Sequence, residues 1–319
     1  MAKSLQEYAD WLNDRDMIWP QLSGIDRLKA TPFVKPLEDI RVVLWSLYGT
    51  LIRISDGRLL LDHPQQIRMQ VALDKTIKEF NMWNSMSRKP GAPWEYMLHQ
   101  YRTLLEERSM SGTGRKGDYP EIDAVAVWRK LIGRLQQNEF QYDQGFYGDV
   151  DDFSKKVAFY FQSCLQGVEA SEHAVQVLTE VSATGRVQGL LADAQSFSVV
   201  QMLRALRRQG TLPPLGDLFD PGGLTLSHRE GVRKPSRSLY EASLARLQDA
   251  HNAQPHQILY VSAQLRDDLA VARQFGMRTA LYAVDKTDCA VEQADMQDTE
   301  LRPDRLITDL TQVSQMLTL

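Results

Sequence analysis

Hydrophobic and polar positions change their spacing three times along the chain. Residues 4–15 set Leu5, Tyr8, Ala9 and Leu12 on one helical face, which predicts a short amphipathic helix docked on a core. The stretch around Trp19, Pro20, Pro32 and Pro36 reads as an ordered connector. Residues 40–45 form a short apolar run that ends in a glycine turn, the pattern of a buried strand. From about 63 to 165 the spacing becomes three and four. Ile67, Val71, Leu73, Ile77, Phe80 and Met82 mark a helix over 66–82. Trp94, Met97, Leu98, Tyr101, Leu104 and Leu105 mark another over 94–108, and Ile122, Val125, Val127, Trp128, Leu131, Ile132 and Leu135 a third over 121–137. A helical bundle follows from these stripes. The segment SMSGTGRKGDYP at 109–120 is rich in glycine and polar residues and predicts a mobile loop.

From about 165 helix and strand alternate. Helices are expected near 170–183, 196–209, 236–249, 267–275 and 309–317, and strands near 187–191, 224–227, 258–262, 278–283 and 305–307. This alternation predicts a parallel sheet covered on both faces. The strand at 42–45 completes it from before the helical stretch, so the bundle is an insertion that leaves the sheet and returns to it. The fold class is therefore α/β: a Rossmann-like, doubly wound parallel sheet with an inserted helical cap. The implied division is an N-terminal extension at 1–39, a core at 40–62 and 166–319, and a cap at 63–165.

Composition narrows the partners. The chain has 319 residues, enough for a core and a second, smaller unit. A net charge of −4 offers no bulk attraction to nucleic acid or anionic membrane. Two cysteines, Cys164 and Cys289, make neither a disulfide framework nor a zinc cluster. The opening residues lack the apolar core of a signal peptide, and no stretch approaches the roughly 18–20 apolar residues of a membrane span. A soluble, cytoplasmic protein is expected.

Open parallel sheets bind ligands at the carboxyl ends of their strands. Four such ends carry informative residues: Ser46-Leu47-Tyr48-Gly49-Thr50-Leu51; Ala192-Asp193; Ser227 to Pro235, which includes Gly231-Val232-Arg233-Lys234-Pro235; and Ser262 to Asp268. In order and spacing these resemble the four motifs of the haloacid dehalogenase-like (HAD) hydrolases, over roughly residues 40–285. The resemblance implies a C1-type cap, a carboxylate nucleophile at the Ser46 position, a hydroxyl donor at that of Ala192, a lysine at Lys234 and a metal-binding carboxylate at Ala263. Tyr48 matches the haloacid dehalogenase branch, and Gly49 and Thr50 match the turn.

The chain departs from that pattern where the chemistry lies. Ser46 replaces an acid that is anionic without help; a serine needs a base, and no histidine adjoins it. Ala192 has no donor. Ser46 and Ala263 replace the two carboxylates that hold Mg²⁺ in the family, so no conventional metal site and no cofactor are expected. Lys234 is the catalytic-type residue that remains. If buried it needs a replacement acid, with Asp268 and Asp193 nearest in the motifs; otherwise it is an ordinary surface lysine. Asp193, Asp267 and Asp268 could instead cap the helices that follow them. His228, near Lys234 in sequence, is either pocket-facing or an ordinary loop histidine.

The leading expectation is a HAD-like pseudo-hydrolase that serves in binding a small anion, in oligomerisation or in holding a protein partner. Its ligand contacts would come from Ser46, Tyr48, Gly49, Ala192, Asp193, Lys234, Asp267 and Asp268. The alternative is an active hydrolase, a phosphatase or a haloacid dehalogenase-like enzyme, that uses Asp193, Asp267 or Asp268 as replacement acids. A third reading leaves the old pocket vestigial and makes the cap and N-terminal helix an interaction surface.

Overall fold

The computed structural model describes residues 2–15, 17–86, 91–110 and 119–317. Six strands make one parallel sheet: β1 (Val42–Trp45), β4 (Val187–Ala192), β5 (Leu224–Leu226), β6 (Ile258–Ser262), β7 (Arg278–Tyr282) and β8 (Arg305–Ile307). Their order is β5-β4-β1-β6-β7-β8, with every pairing parallel. Every residue of β1 and of β6 is buried, because helices cover both faces of the sheet. In register, Trp45 faces Leu190 of β4 on one side and Val261 of β6 on the other. The chain turns from one side of β1 to the other between β5 and β6, so the switch point lies beside β1.

Two further strands, β2 (Ile52–Ile54) and β3 (Val168–Ala170), form a separate antiparallel ladder where the chain leaves for the cap and returns. Neither is anticipated from the pattern, since each has three residues and no alternation to read. The helix expected near 170–183 consequently starts later, at Ala174.

The cap holds α2 (Gln66–Glu79), α3 (Pro93–Met110), α4 (Ala124–Gln136) and the helix Val150–Leu165 around one apolar cluster. The stripe in α2 is rotated from the expected one. Met69, Ala72, Leu73, Thr76 and Ile77 are buried, whereas Ile67 and Val71 face outward. The helix Val150–Leu165 is the centre of the cap, with twelve of its sixteen residues buried. Its buried set includes Ser154, Lys156, Gln162 and Ser163, so the apolar letters alone do not mark it as the centre of the cap. Of the loop expected at 109–120, residues 111–118 lie outside the described residues.

The N-terminal helix α1 (Leu5–Asn13) is closed by a Ser4–Glu7 capping box. It docks on the cap rather than on the sheet: Tyr8, Ala9 and Leu12 belong to the cap cluster, and Tyr8 meets Phe80 at 6.4 Å between ring centroids. The connector then runs past the hinge and along the sheet edge. Leu28 N–H donates to the Val284 carbonyl, and Phe33 N–H to that of Leu306 in β8, at 2.9 and 2.8 Å. The open edge of β8 is thereby covered. No helix among the described residues is long and apolar enough to cross a membrane.

Candidate functional site

The carboxyl ends of β1, β4, β5 and β6 bring the four sequence motifs together. Ser46 follows β1 directly, its N–H donating to the Val261 carbonyl at 2.9 Å. The turn behind it needs Gly49, which holds φ +80° and whose Cβ would lie 3.3 Å from that of Asp288. Thr50 faces β6 and accepts the Ala263 N–H at 3.1 Å.

Lys234 sits at the centre. Its Nζ donates to Asp268 Oδ2 at 2.6 Å, to Tyr260 Oη at 2.6 Å and to Ser46 Oγ at 3.0 Å. An ammonium has three N–H groups, so all are engaged within the protein. The side chain is 8% exposed, so Lys234 is not a surface lysine, and Asp268 is fully buried. Both oxygens of Asp268 are engaged: Oδ2 also accepts the Ser262 hydroxyl at 2.6 Å, and Oδ1 the Tyr240 hydroxyl at 2.8 Å. The Tyr260 hydroxyl donates to the Leu191 carbonyl at 2.8 Å. Burial, and then the charge of Asp268, hold the phenols of Tyr240 and Tyr260 far above their usual range, so both stay neutral.

A wide turn explains the choice of acid. Residues Leu265–Leu269 are wound as one π turn, closed by the Leu269 N–H on the Gln264 carbonyl at 3.1 Å. It carries Asp268 inward and leaves Asp267 exposed. Asp267 therefore lies outside the Lys234 hydrogen-bond cluster, unlike its neighbour. Asp268 is not a helix cap either, because its carboxylate is committed to Lys234. Asp193 likewise does not cap the next helix. Its Oδ1 accepts the Lys234 backbone N–H at 2.8 Å, whereas the helix Ser198–Leu206 has no side-chain cap. Burial pushes the Asp193 carboxyl up, and the Lys234 charge and hydrogen bond oppose that. Tyr48 is buried with Oη 2.7 Å from Gln201 Oε1 and 2.8 Å from Ser198 Oγ. Ala192 is fully buried and supplies no donor. His228 is half-buried, with Nδ1 3.2 Å from the Ala194 carbonyl oxygen.

A strap from the cap crosses this end of the sheet. Glu121 N–H donates to the Gly231 carbonyl at 3.0 Å, and Arg233 N–H to that of Tyr119 at 2.8 Å. The Glu121 carboxylate accepts from Ser227 Oγ and from Gln195 Nε2, and Gln195 Oε1 accepts the Ala124 N–H at 2.9 Å. Burial pushes Glu121 up to about 7; the Ser227 hydrogen bond opposes this and the Asp193 charge adds to it. A second acid, Asp288, lies in the loop after β7, packed against Gly49. It is buried, its Oδ1 has no hydrogen-bond partner, and burial with Asp285 beside it pushes it up to about 7. Neither acid is singled out by the motif spacing: Glu121 comes from the cap, and Asp288 from twenty residues past the last motif residue, Asp268. Among the described residues, no three or more His, Cys, Asp or Glu side chains gather where they could hold a metal ion.

Residues 231–313 match the family model described as HAD-hydrolase-like. No curated protein matches the chain. Among solved structures, a 2-haloacid dehalogenase from Pseudomonas syringae pv. Tomato DC3000 is similar at 19% identity, covering 87% of this chain and 97% of that one, with a TM-score of 0.52. The L-2-haloacid dehalogenase from Xanthobacter autotrophicus with covalently bound chloropropionic acid is also 19% identical, covering 86% of this chain and 97% of that one, at a TM-score of 0.42. The resemblance carried by the four motifs thus extends to the whole architecture, and this chain is a HAD-like protein in fold, with the family's own model on its C-terminal part.

Proposed function

We propose that this HAD-like chain does not hydrolyse substrates by the family's covalent mechanism and serves instead as a binding protein. The carrying observation is the saturation of Lys234. A lysine that neutralises a reacting anion needs an N–H free to meet it, and here Asp268, Tyr260 and Ser46 take all three. Ser46 offers no carboxylate, and its hydroxyl faces a cation rather than a base. The residues do not suit Mg²⁺ either. Ala263 and Ser46 stand at the metal positions, the acid that shares Lys234 with Ser46, Asp268, is paired with that lysine, and Asp288 beside Gly49 is a lone carboxyl rather than a ligand set. The binding role is toward a small anion or a protein partner, with self-association as a further route, and not toward nucleic acid or membrane, which the net charge of −4 disfavours. Two free, buried cysteines suit a reducing, cytoplasmic setting.

The test is turnover of phosphomonoesters and 2-haloacids by the purified protein, with and without Mg²⁺. The expected result is no rate above that of buffer. A rate abolished by Ser46→Ala overturns the proposal.

One observation favours a second reading, an active hydrolase with displaced acids. Glu121 and Asp288 both titrate near neutrality, the range a general acid or base needs. That reading requires turnover that survives Ser46→Ala and is lost in Asp288→Asn or Glu121→Gln.

A further inference from the structure

Between the N-terminal extension and the helix Ser198–Leu206 lies a cavity of about 460 Å³ whose wall carries four arginines. Arg15 is paired with Glu79 at 2.5 Å, and Arg207 with Asp10 at 3.3 Å. Arg204 has no acidic partner. Its Nε donates to Asn13 Oδ1 at 2.6 Å, and its guanidinium lies 4.8 Å from the Trp19 ring centroid. Its Nη2 is buried and has no hydrogen-bond partner. Arg208, one turn on, makes no side-chain ion pair or hydrogen bond to any described residue, and no acid is among the described residues of the wall. Two guanidinium groups without an ion pair, the half-buried Arg204 and the exposed Arg208, therefore face one concavity. Burial, followed by the like charge of Arg208, pushes Arg204 down to about 10, and the charge of Asp10 opposes this only in part. Buried guanidinium groups are ordinarily paired, and an orphaned buried donor demands a partner.

We propose that this cavity is a binding site for a small phosphate ester, held by Arg204 and Arg208 against Trp19 and Met17. The charge selects the ligand. A phosphomonoester carries about −1.5 to −2 at neutral pH, which balances two free cations, whereas a monocarboxylate would leave one unpaired. The planar guanidinium fork suits phosphate oxygens in paired hydrogen bonds. The volume exceeds that of phosphate alone and leaves room for an organic group along Met17 and Trp19. An adjoining cavity of about 410 Å³ shares Arg204, Arg208 and Trp19 and extends to Gln201 and the hinge residue Gly167. Its acid, Glu169, lies 4.0 Å from Arg53. The site is separate from Lys234 and holds whether or not the old centre turns anything over, so the two proposals fail independently.

The test is calorimetric titration of the full chain with inorganic phosphate and with phenyl phosphate at constant ionic strength. One equivalent is expected to bind, phenyl phosphate more tightly than phosphate. Arg208→Gln and Arg204→Gln are each expected to weaken binding at least tenfold. Lys234→Met is expected to leave it within twofold, provided circular dichroism shows that variant folded. Should Arg204→Gln not fold, Arg208→Gln decides the matter alone, since its side chain supports no described contact. Absence of binding at 10 mM of either anion, or binding lost in Lys234→Met yet kept in Arg208→Gln, would falsify the site.

Discussion

Two largely buried cations, Lys234 and Arg204, are treated in opposite ways by the same fold. Lys234 has an acid, a phenol and a hydroxyl, one for each N–H. Arg204 has a single amide acceptor and an aromatic face, and a like charge for a neighbour. The helix Ser198–Leu206 links them: Gln201 takes the Tyr48 hydroxyl on the side of the strand-end motifs and lines the cavity beside Arg204 on the other. Position in a family motif suggests that Lys234 is the reactive group. Satisfaction of hydrogen bonds says otherwise. A buried ion pair with its hydrogen bonds made is costly to break on one side and has nothing left for a ligand, whereas an orphaned cation is costly until something binds it.

Removing a partner of Lys234 should therefore cost far more than removing a cation at the arginine cavity. Tyr260→Phe strips an acceptor from Lys234 and the donor from the Leu191 carbonyl. Two buried groups each lose a hydrogen bond, and urea denaturation is expected to show a loss of about 3 kcal/mol. A loss below about 1 kcal/mol would mean that water replaces the phenol and that the centre is open.

Next in size is the strap. The Glu121 carboxyl is raised from its ordinary 4.5 to about 7, so the folded chain holds a proton that the unfolded chain has released. Stability from this group is fully present below about pH 4.5, falls as pH rises and is gone above about pH 7. Glu121→Gln should flatten that decline by on the order of 2 kcal/mol, measured as urea stability at pH 5 and pH 8. An unchanged slope would place the carboxylate in water and the strap off the core.

Arg208→Gln gives the smallest change. Without phosphate, stability should stay within about 0.5 kcal/mol of the wild type, since the lost charge only repelled Arg204. A loss above about 1 kcal/mol would show an ion pair that closes the cavity.

Much of this was legible in the sequence. Strands β1 and β6 announce themselves as apolar runs, because a parallel sheet buries both their faces. The four motifs at strand ends, and the gaps at Ser46, Ala192 and Ala263, need only letters and order. Other features depend on geometry that letters do not encode. Adjacent Asp267 and Asp268 look equivalent until a π turn sends one to solvent and the other to Lys234. The central cap helix Val150–Leu165 hides because polar residues, Ser154, Lys156, Gln162 and Ser163, are among those it buries. Arg204 becomes notable only when Asn13, 191 residues away, folds back to meet it.

The most direct test is a double-mutant cycle on the pair at the centre, read as urea denaturation of the wild type, Lys234→Met, Asp268→Leu and the double variant. If the pair is structural, each single variant leaves an unpaired buried charge and loses about 3–5 kcal/mol, and the double variant recovers most of that loss. If Lys234→Met is neutral or stabilising, as expected for a residue kept for reaction at the expense of stability, Lys234 is poised for chemistry and the account is contradicted.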